Sequence, residues 1–416
     1  MENLQSAQSL FVKLECSNCG KTYDHHVLQT FASCCNQPLL AKYDLSRAPK
    51  KSILKNRPLN MWRYREFLPV LEDKNIVSLN EGFTPIIRLE KTASAYGFTN
   101  VYLKDEGMNP TGSFKARGQS AAISKAIELG VTKCIIPTAG NAGGAMSAYC
   151  AKAGIKATVV MPSITPSIFR TECISFGAEV ILIDGLINDC GAKVREIKKT
   201  ADDFDVSTMK EPYRLEGKKT MGYEIAEQFD WQLPDVIIYP AGGGTGLIGI
   251  WKAFKEMKEM GWIEGALPKM VAVQSANCQP VVKANDDLLG IPNEYTEAKS
   301  SIAYGLAVPN SFGHDLMMKV IKESKGSAIA VTEEDIIKST LELAKKEGLL
   351  LSPEGAATWQ AMIQMKNTGL INGEEKILLL NTGSAYKYMD ALEGIHESTS
   401  ITENEKNLLP SSIGLE

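Results

Sequence analysis

From about residue 100 the chain alternates short runs of β-branched and apolar residues with longer stretches in which small and polar residues recur at helical spacing. NVYLKD, KCIIPT, KATVVMP and AEVILID read as buried strands. The stretches 115–129, 142–153, 166–176 and 188–201 between them read as helices. The alternation resumes with DVIIYP, a helix over about 246–259, the strand KMVAVQ, helices over 333–347 and 355–365, and finally KILLLN. Strands separated by helices predict parallel sheets covered on both faces, and the length fits two such sheets better than one. The fold class expected is α/β, with two open three-layer α/β/α domains.

The ends of the chain follow a different pattern. Residues 1–45 carry clustered cysteines and read as a small separate module, while 46–75 read as an arm with the aromatic anchors Trp62 and Tyr64. The predicted larger domain takes 46–110 and 215–395, the smaller takes 111–214, and 396–416 form a polar tail. There are no internal repeats. With 416 residues, 44% hydrophobic content and a net charge of −4, the chain offers no general attraction to nucleic acid. Its N-terminus lacks the basic start and apolar core of a secretory signal, and no apolar stretch is long enough to span a bilayer, so a cytoplasmic location is expected. Nine cysteines are an odd count, and Cys134, Cys150, Cys173 and Cys278 lie in apolar or helical patterns. Buried free thiols are expected there, rather than a disulfide framework.

Four loops lie beside predicted strands, where open α/β sheets place ligands. In NPTGSFKARGQ, Lys115 lies at a helix start beside Phe114, and both the helix dipole and desolvation disfavour its charged form. Such an amine forms Schiff bases and moves protons. The alternative is a lysine that only covers apolar surface. In PAGGGTGLIG, Gly242, Gly243 and Gly244 can turn backbone amides toward a phosphate at a helix N-terminus, with Thr245 adding a hydroxyl. The loop has neither the lysine of a nucleotide P-loop nor the dinucleotide spacing, so it suits a lone phosphate. In PTAGNAGGAMSAY, the amides and Asn141 can hold a small carboxylate and a ring hydroxyl. In LLLNTGSAYKY, Thr382 offers a neutral hydroxyl to a ring nitrogen. Taken together, these groups would hold pyridoxal phosphate.

The stretches LECSNCG, PLLAKYDL, EGFTPI, KDEGMNPTGSFKARG, AGNAGGA, EPYRLEGKKT, GGGTG and NTGSAYKY occur in an order that resembles the threonine synthase family of fold-type II pyridoxal-phosphate enzymes, over about residues 14–390. The resemblance implies that Lys115 carries the cofactor as a Schiff base and Asn141 meets the pyridine 3′-oxygen. It further implies that Gly242 to Thr245 hold the cofactor phosphate, that Thr382 faces the ring nitrogen, and that the chain is a homodimer. It also implies that O-phosphohomoserine and water become threonine and phosphate, with Arg214 receiving the substrate phosphate. An exposed helix-cap arginine is the alternative reading of Arg214. Three features depart from the common pattern. Ala116 replaces an aspartate, Ala139 and Ala142 stand on the substrate side where hydroxyls are common, and GGGTG replaces a Gly-Asn form. A serine or threonine ammonia-lyase, a β-replacement enzyme and a non-catalytic binding protein stay open as other functions.

Near the N-terminus, Cys16-x-x-Cys19 is half of a zinc ribbon. The expected second pair is irregular, Ala32-Ser33-Cys34-Cys35, so Cys35 aligns with the last ligand and either Cys34 or one of His25 and His26 completes a structural zinc site.

Overall fold

The computed structural model describes residues 8–198 and 203–392. The expected tail, 396–416, lies outside these residues. Three strands, β1 (Phe11–Cys16), β2 (Thr22–Tyr23) and β3 (Leu39–Tyr43), form a small antiparallel sheet in the order β2-β1-β3. The arm that follows winds through short 3-10 turns and buries its aromatic anchors. Trp62 donates its Nε1 to Glu81 Oε1 and Ser120 Oγ, both at 3.0 Å. Tyr64 donates its hydroxyl to Glu227 Oε2 at 2.6 Å.

Next come β4 (Ile86–Arg88), α1 (Glu90–Ala95), β5 (Val101–Asp105) and α2 (Lys115–Glu128). A run of alternating elements follows: β6 (Lys133–Pro137), α3 (Asn141–Ala153), β7 (Lys156–Pro162), α4 (Ser167–Ser175), β8 (Glu179–Ile183), α5 (Ile187–Ile197) and β9 (Phe204–Asp205). The helix expected over 188–201 thus ends at Ile197, and 199–202 lie outside the described residues. The remainder is α6 (Tyr213–Gln228), β10 (Val236–Pro240), α7 (Thr245–Glu259), β11 (Lys269–Ser275), α8 (Pro280–Leu289), α9 (His314–Glu323), β12 (Ser327–Val331), α10 (Glu333–Glu347), α11 (Pro353–Asn367) and β13 (Ile377–Asn381).

The larger sheet runs β12-β11-β10-β13-β5-β4, parallel except for β4, and the second runs β8-β7-β6-β9, all parallel. Both are covered on two faces, which explains their nearly unbroken apolar strands. In the larger sheet Ile237, Tyr239, Met270, Ala272, Leu378 and Leu380 pack into one core. Their neighbours Val236, Ile238, Val271, Val273, Ile377 and Leu379 face the opposite one. Each fully buried aliphatic side chain contributes roughly 1.5–3 kcal/mol.

Helix α6 packs against both α2 and α7 and is buried along almost its whole length, charges included. Beneath the start of α2 the burial is made tolerable by a compact four-charge network. Arg117 donates to Glu106 at 2.6 and 2.7 Å and to Glu224 at 2.5 and 2.7 Å, and Lys104 pairs with Glu224 at 3.1 Å. All four side chains are 0% exposed. Two positive and two negative charges cancel, and the network ties β5, α2 and α6 into one rigid floor.

Candidate active site

The loops after β5, β6, β10 and β13 all leave the carboxyl ends of parallel strands, and contacts among them and α6 bring them together. After β5 the chain makes a tight turn in which Thr111 and Gly112 are both left-handed, with φ of 58° and 60°. Thr111 pays the steric strain of that conformation as a residue with a Cβ. Lys387 Nζ donates to the Thr111 carbonyl at 2.8 Å and to both Glu172 oxygens at 2.7 Å, pinning the turn between sheets. Ser113 then bridges to Gly383, and Phe114 N donates to the Thr382 carbonyl at 3.1 Å. These bonds place Lys115, the first residue of α2, beside Thr382.

Lys115 is half-buried, with its Nζ 4.3 Å from the centre of the Phe114 ring. Burial and the nearby Arg214 guanidinium lower its pKa to about 7, against the opposing pull of Glu354. An amine that loses its proton near neutrality is a nucleophile and a proton carrier. Glu354 is itself buried. Its Oε1 accepts from Gly305 N at 2.8 Å, its Oε2 has no partner, and burial pushes its carboxyl pKa up.

Asn141 opens α3 after β6. Its Nδ2 donates to the Tyr388 hydroxyl at 2.9 Å, while its Oδ1 is buried without a partner. Ala142 is 7% exposed in the apolar layer under α3, and Ala139 is half-buried in the loop before it, so neither brings a polar group to the site. The loop after β10 turns through Gly244, whose φ of 77° a side chain would resist. The first amides of α7, which helical geometry leaves without acceptors, open there with the Thr245 hydroxyl. The loop connects to Arg214 through Thr208, whose Cγ2 lies where a Cβ on Gly243 would come within 2.7 Å.

Arg214 is 0% exposed, which replaces the reading of an exposed cap. Its Nη1 donates to the Val206 carbonyl at 2.6 Å and reaches Thr208 Oγ1 at 3.4 Å. Its Nε and Nη2 have no partner. Glu211, which accepts from the backbone of Tyr213 and Arg214, starts the helix that carries it; burial raises the Glu211 pKa to about 7 despite Arg214.

The buried orphans Thr111 Oγ1, Ser113 Oγ, Asn141 Oδ1 and the two Arg214 nitrogens lie on the segments that surround Lys115. Buried polar atoms are rarely left unbonded, so their concentration here marks a seat for a polar ligand. With a reactive amine, an amide cup for one phosphate and a hydroxyl at a strand end, the residues fit pyridoxal phosphate. Glu354, Tyr388, Thr208 and Lys218 complete the site and were not singled out from the sequence. Only Lys218 had a readable signal: on a helix, its spacing from Arg214 puts both cations on one face.

Residues 77–383 match the family model of pyridoxal-phosphate dependent enzymes. Threonine synthase of Methanocaldococcus jannaschii is 34% identical over 403 residues, 95% of this chain and 97% of that one. The chain belongs to the threonine synthase family of pyridoxal-phosphate-dependent enzymes. Threonine synthase of Methanosarcina acetivorans is 32% identical over 393 residues, 94% of this chain and 96% of that one. Serine racemase of Dictyostelium discoideum, at 23% identity, shares the fold with a TM-score of 0.59 over 72% of this chain and 91% of that one. The cofactor is accordingly pyridoxal phosphate, and the protein is a lyase of the threonine synthase type. No helix among the described residues is long and apolar enough to cross a membrane.

The four N-terminal cysteines also come together. The Sγ atoms of Cys16, Cys19, Cys34 and Cys35 all lie within 4.8 Å of one another, Cys19 and Cys34 are 3.4 Å apart, and none is in a disulfide. His25 and His26 group instead with Asp24.

Proposed function

We propose that the protein converts O-phosphohomoserine and water to threonine and phosphate, as a cytoplasmic homodimer. The observation that carries this reading is the second anion seat. A fully buried guanidinium with two unpartnered nitrogens stands one residue contact away from the phosphate cup, and an enzyme handling an unphosphorylated amino acid has no use for it. Bound pyridoxal phosphate supplies the electron sink that stabilises negative charge at the substrate carbons. Lys115 takes and returns protons at the α- and β-carbons, which its lowered pKa suits near neutral pH. Arg214 receives the phosphate that leaves the γ-carbon. The α3 amides beside Ala139 and Ala142 receive the carboxylate, Asn141 meets the ring oxygen, Gly242 to Thr245 hold the cofactor phosphate, and Thr382 faces the ring nitrogen.

The test is product analysis with O-phosphohomoserine, threonine and serine in parallel. Threonine and phosphate in equal amounts are expected from the first. Absence of phosphate release together with 2-oxo acid from threonine or serine would overturn the reading in favour of an ammonia-lyase. Replacing Arg214 by glutamine is expected to raise KM for O-phosphohomoserine about 10- to 100-fold, the worth of charge-assisted hydrogen bonds, and an unchanged KM would remove Arg214 from the substrate site.

We also propose that Cys16, Cys19, Cys34 and Cys35 bind a structural zinc ion. Zinc–sulfur bonds of about 2.3 Å put tetrahedral sulfurs about 3.8 Å apart, close to the separations found. The module rests on the rest of the chain through Phe31 and Phe312, whose rings meet edge to face at 5.6 Å, and the neighbouring Ser311 Oγ donates to the Gly243 carbonyl at 3.2 Å. Purified under reducing conditions, the protein is expected to carry about one equivalent of zinc, lost in Cys19→Ser. Metal-free protein of unchanged melting temperature would count against the site.

A further inference from the structure

Lys218 is a buried cation of the site that makes no ion pair with a carboxylate among the described residues. It lies one helical turn beyond Arg214 on α6, is 0% exposed, and donates from Nζ to the Thr245 hydroxyl at 2.8 Å. The same Nζ stands 4.6 Å from the centre of the Phe114 ring, which Lys115 also approaches. Other buried lysines have carboxylates. Lys219 pairs with Glu216 at 2.7 Å and Glu256 at 2.9 Å, and Lys104 with Glu224 at 3.1 Å. Lys218 has no such pair: Arg214 and Lys115 oppose its charge, and Glu211, the one carboxylate that favours it, forms no ion pair with it. The fold nonetheless makes room for it: a Cβ on Gly118 would come 3.0 Å from Lys218 Cε.

Burying an ammonium without an anion is strongly unfavourable, so such a group is stable only as a neutral amine or beside a charge that the ligand brings. Thr245 is the first residue of α7, and its hydroxyl stands in the amide cup formed after β10. That position faces the one strong anion the site is built to receive at a helix start. We propose that Lys218 is the charge partner of the cofactor's phosphate, reaching it alongside the Thr245 hydroxyl and the amides of Gly243 and Gly244. This rests on the assignment of the Gly242–Thr245 loop as the cofactor's phosphate cup. Two cations then answer two anions, with Lys218 on the cofactor phosphate and Arg214 on the substrate phosphate. The cofactor's tail is neutralised without drawing on the group that must release its product phosphate at each turnover.

The experiment compares the holoenzyme with Lys218→Met and Lys218→Gln. Each protein is freed of cofactor by dialysis and titrated with pyridoxal phosphate and, separately, with pyridoxal, which lacks the phosphate. Both variants are expected to bind pyridoxal phosphate about 10- to 100-fold more weakly, with pyridoxal affinity unchanged. The 31P resonance of the bound cofactor is expected to stay pH-independent in the parent between about pH 5 and 8 and to titrate in the variants, across the ordinary second phosphate pKa near 6. The cofactor-free Lys218→Met protein is expected to be at least as stable as the parent, since a buried polar amine with no ion-pair partner has been replaced by an apolar chain of similar size. Equal loss for both ligands would reduce Lys218 to a structural strut under Thr245. Unchanged pyridoxal phosphate affinity with a raised KM for O-phosphohomoserine would place it on the substrate instead. Failure of the parent itself to bind pyridoxal phosphate more tightly than pyridoxal would refute the phosphate cup, a different result from either.

Discussion

Lys115→Ala is expected to lower turnover about a thousandfold or more while leaving the fold intact. The size follows from what the residue does: a positioned acid–base contributes about 10²- to 10⁴-fold, and here one amine serves several proton transfers besides attachment of the cofactor. The intact fold follows from its surroundings, because Lys115 makes no ion pair with a carboxylate among the described residues and sits where burial and Arg214 oppose its charge. The amine also leaves a pH signature. Unfolded, it keeps its proton up to about 10.5, whereas in the folded, cofactor-free chain it gives the proton up at about 7. Between these values the unfolded chain binds more protons, so stability rises with pH across that window. Urea midpoints measured at pH 7 and pH 9 should therefore rise more for the parent than for Lys115→Met. Parallel pH dependence in the two proteins would show that Lys115 titrates normally.

The largest effect on stability is expected two residues further on. Arg117→Met should destabilise the protein by about 3–5 kcal/mol, since it leaves Glu106 and Glu224 buried with only Lys104 to balance them. Despite burial, which pushes its pKa up, Glu224 is held at about 2 by Arg117 and Lys104. Its contribution is thus fully present above the ordinary carboxylate value of 4.5 and is lost as pH falls toward about 2. Denaturant unfolding at neutral pH measures the loss. The double variant Arg117→Met with Glu224→Met should recover part of it, because charge balance is restored and the two sites share one network. Equal destabilisation in the single and double variants would mean that packing, not charge, is what Arg117 supplies.

Much of the scaffold was legible because its strands are buried on both faces. DVIIYP and KILLLN are apolar without interruption, and they became β10 and β13 at the centre of the larger sheet. Helix α6 shows where that legibility ends. YRLEGKKTMGYEIAEQ has no apolar stripe, since Arg214, Glu216, Lys218, Lys219 and Glu224 are all fully buried, with Glu216, Lys219 and Glu224 answered by opposite charges across space. A pattern reading equates such charges with solvent. For the same reason Arg214 allowed an exposed alternative. The short β12 and the helices α8 and α9 were missed as well, lying in a stretch between 276 and 331 whose polar and apolar positions hold no long period.

The loops at the ends of β5, β6, β10 and β13 could be read one by one from residue type and position. Their meeting could not, because it depends on long-range bonds such as Phe114 N to the Thr382 carbonyl and Lys387 to Glu172. Tyr388, which takes the amide of Asn141, and Glu354, which anchors Gly305, belong to the site only through that assembly.

Two desolvated amines, Lys115 and Lys218, approach the same Phe114 ring, so the attachment point of the cofactor can be asked of the molecule directly. Borohydride reduction of the coloured holoprotein, followed by proteolysis and mass analysis of the pyridoxyl-labelled peptide, should find the label on Lys115 alone. A label on Lys218, or on any peptide without residue 115, would contradict the assignment of the reactive amine and the division of roles built upon it.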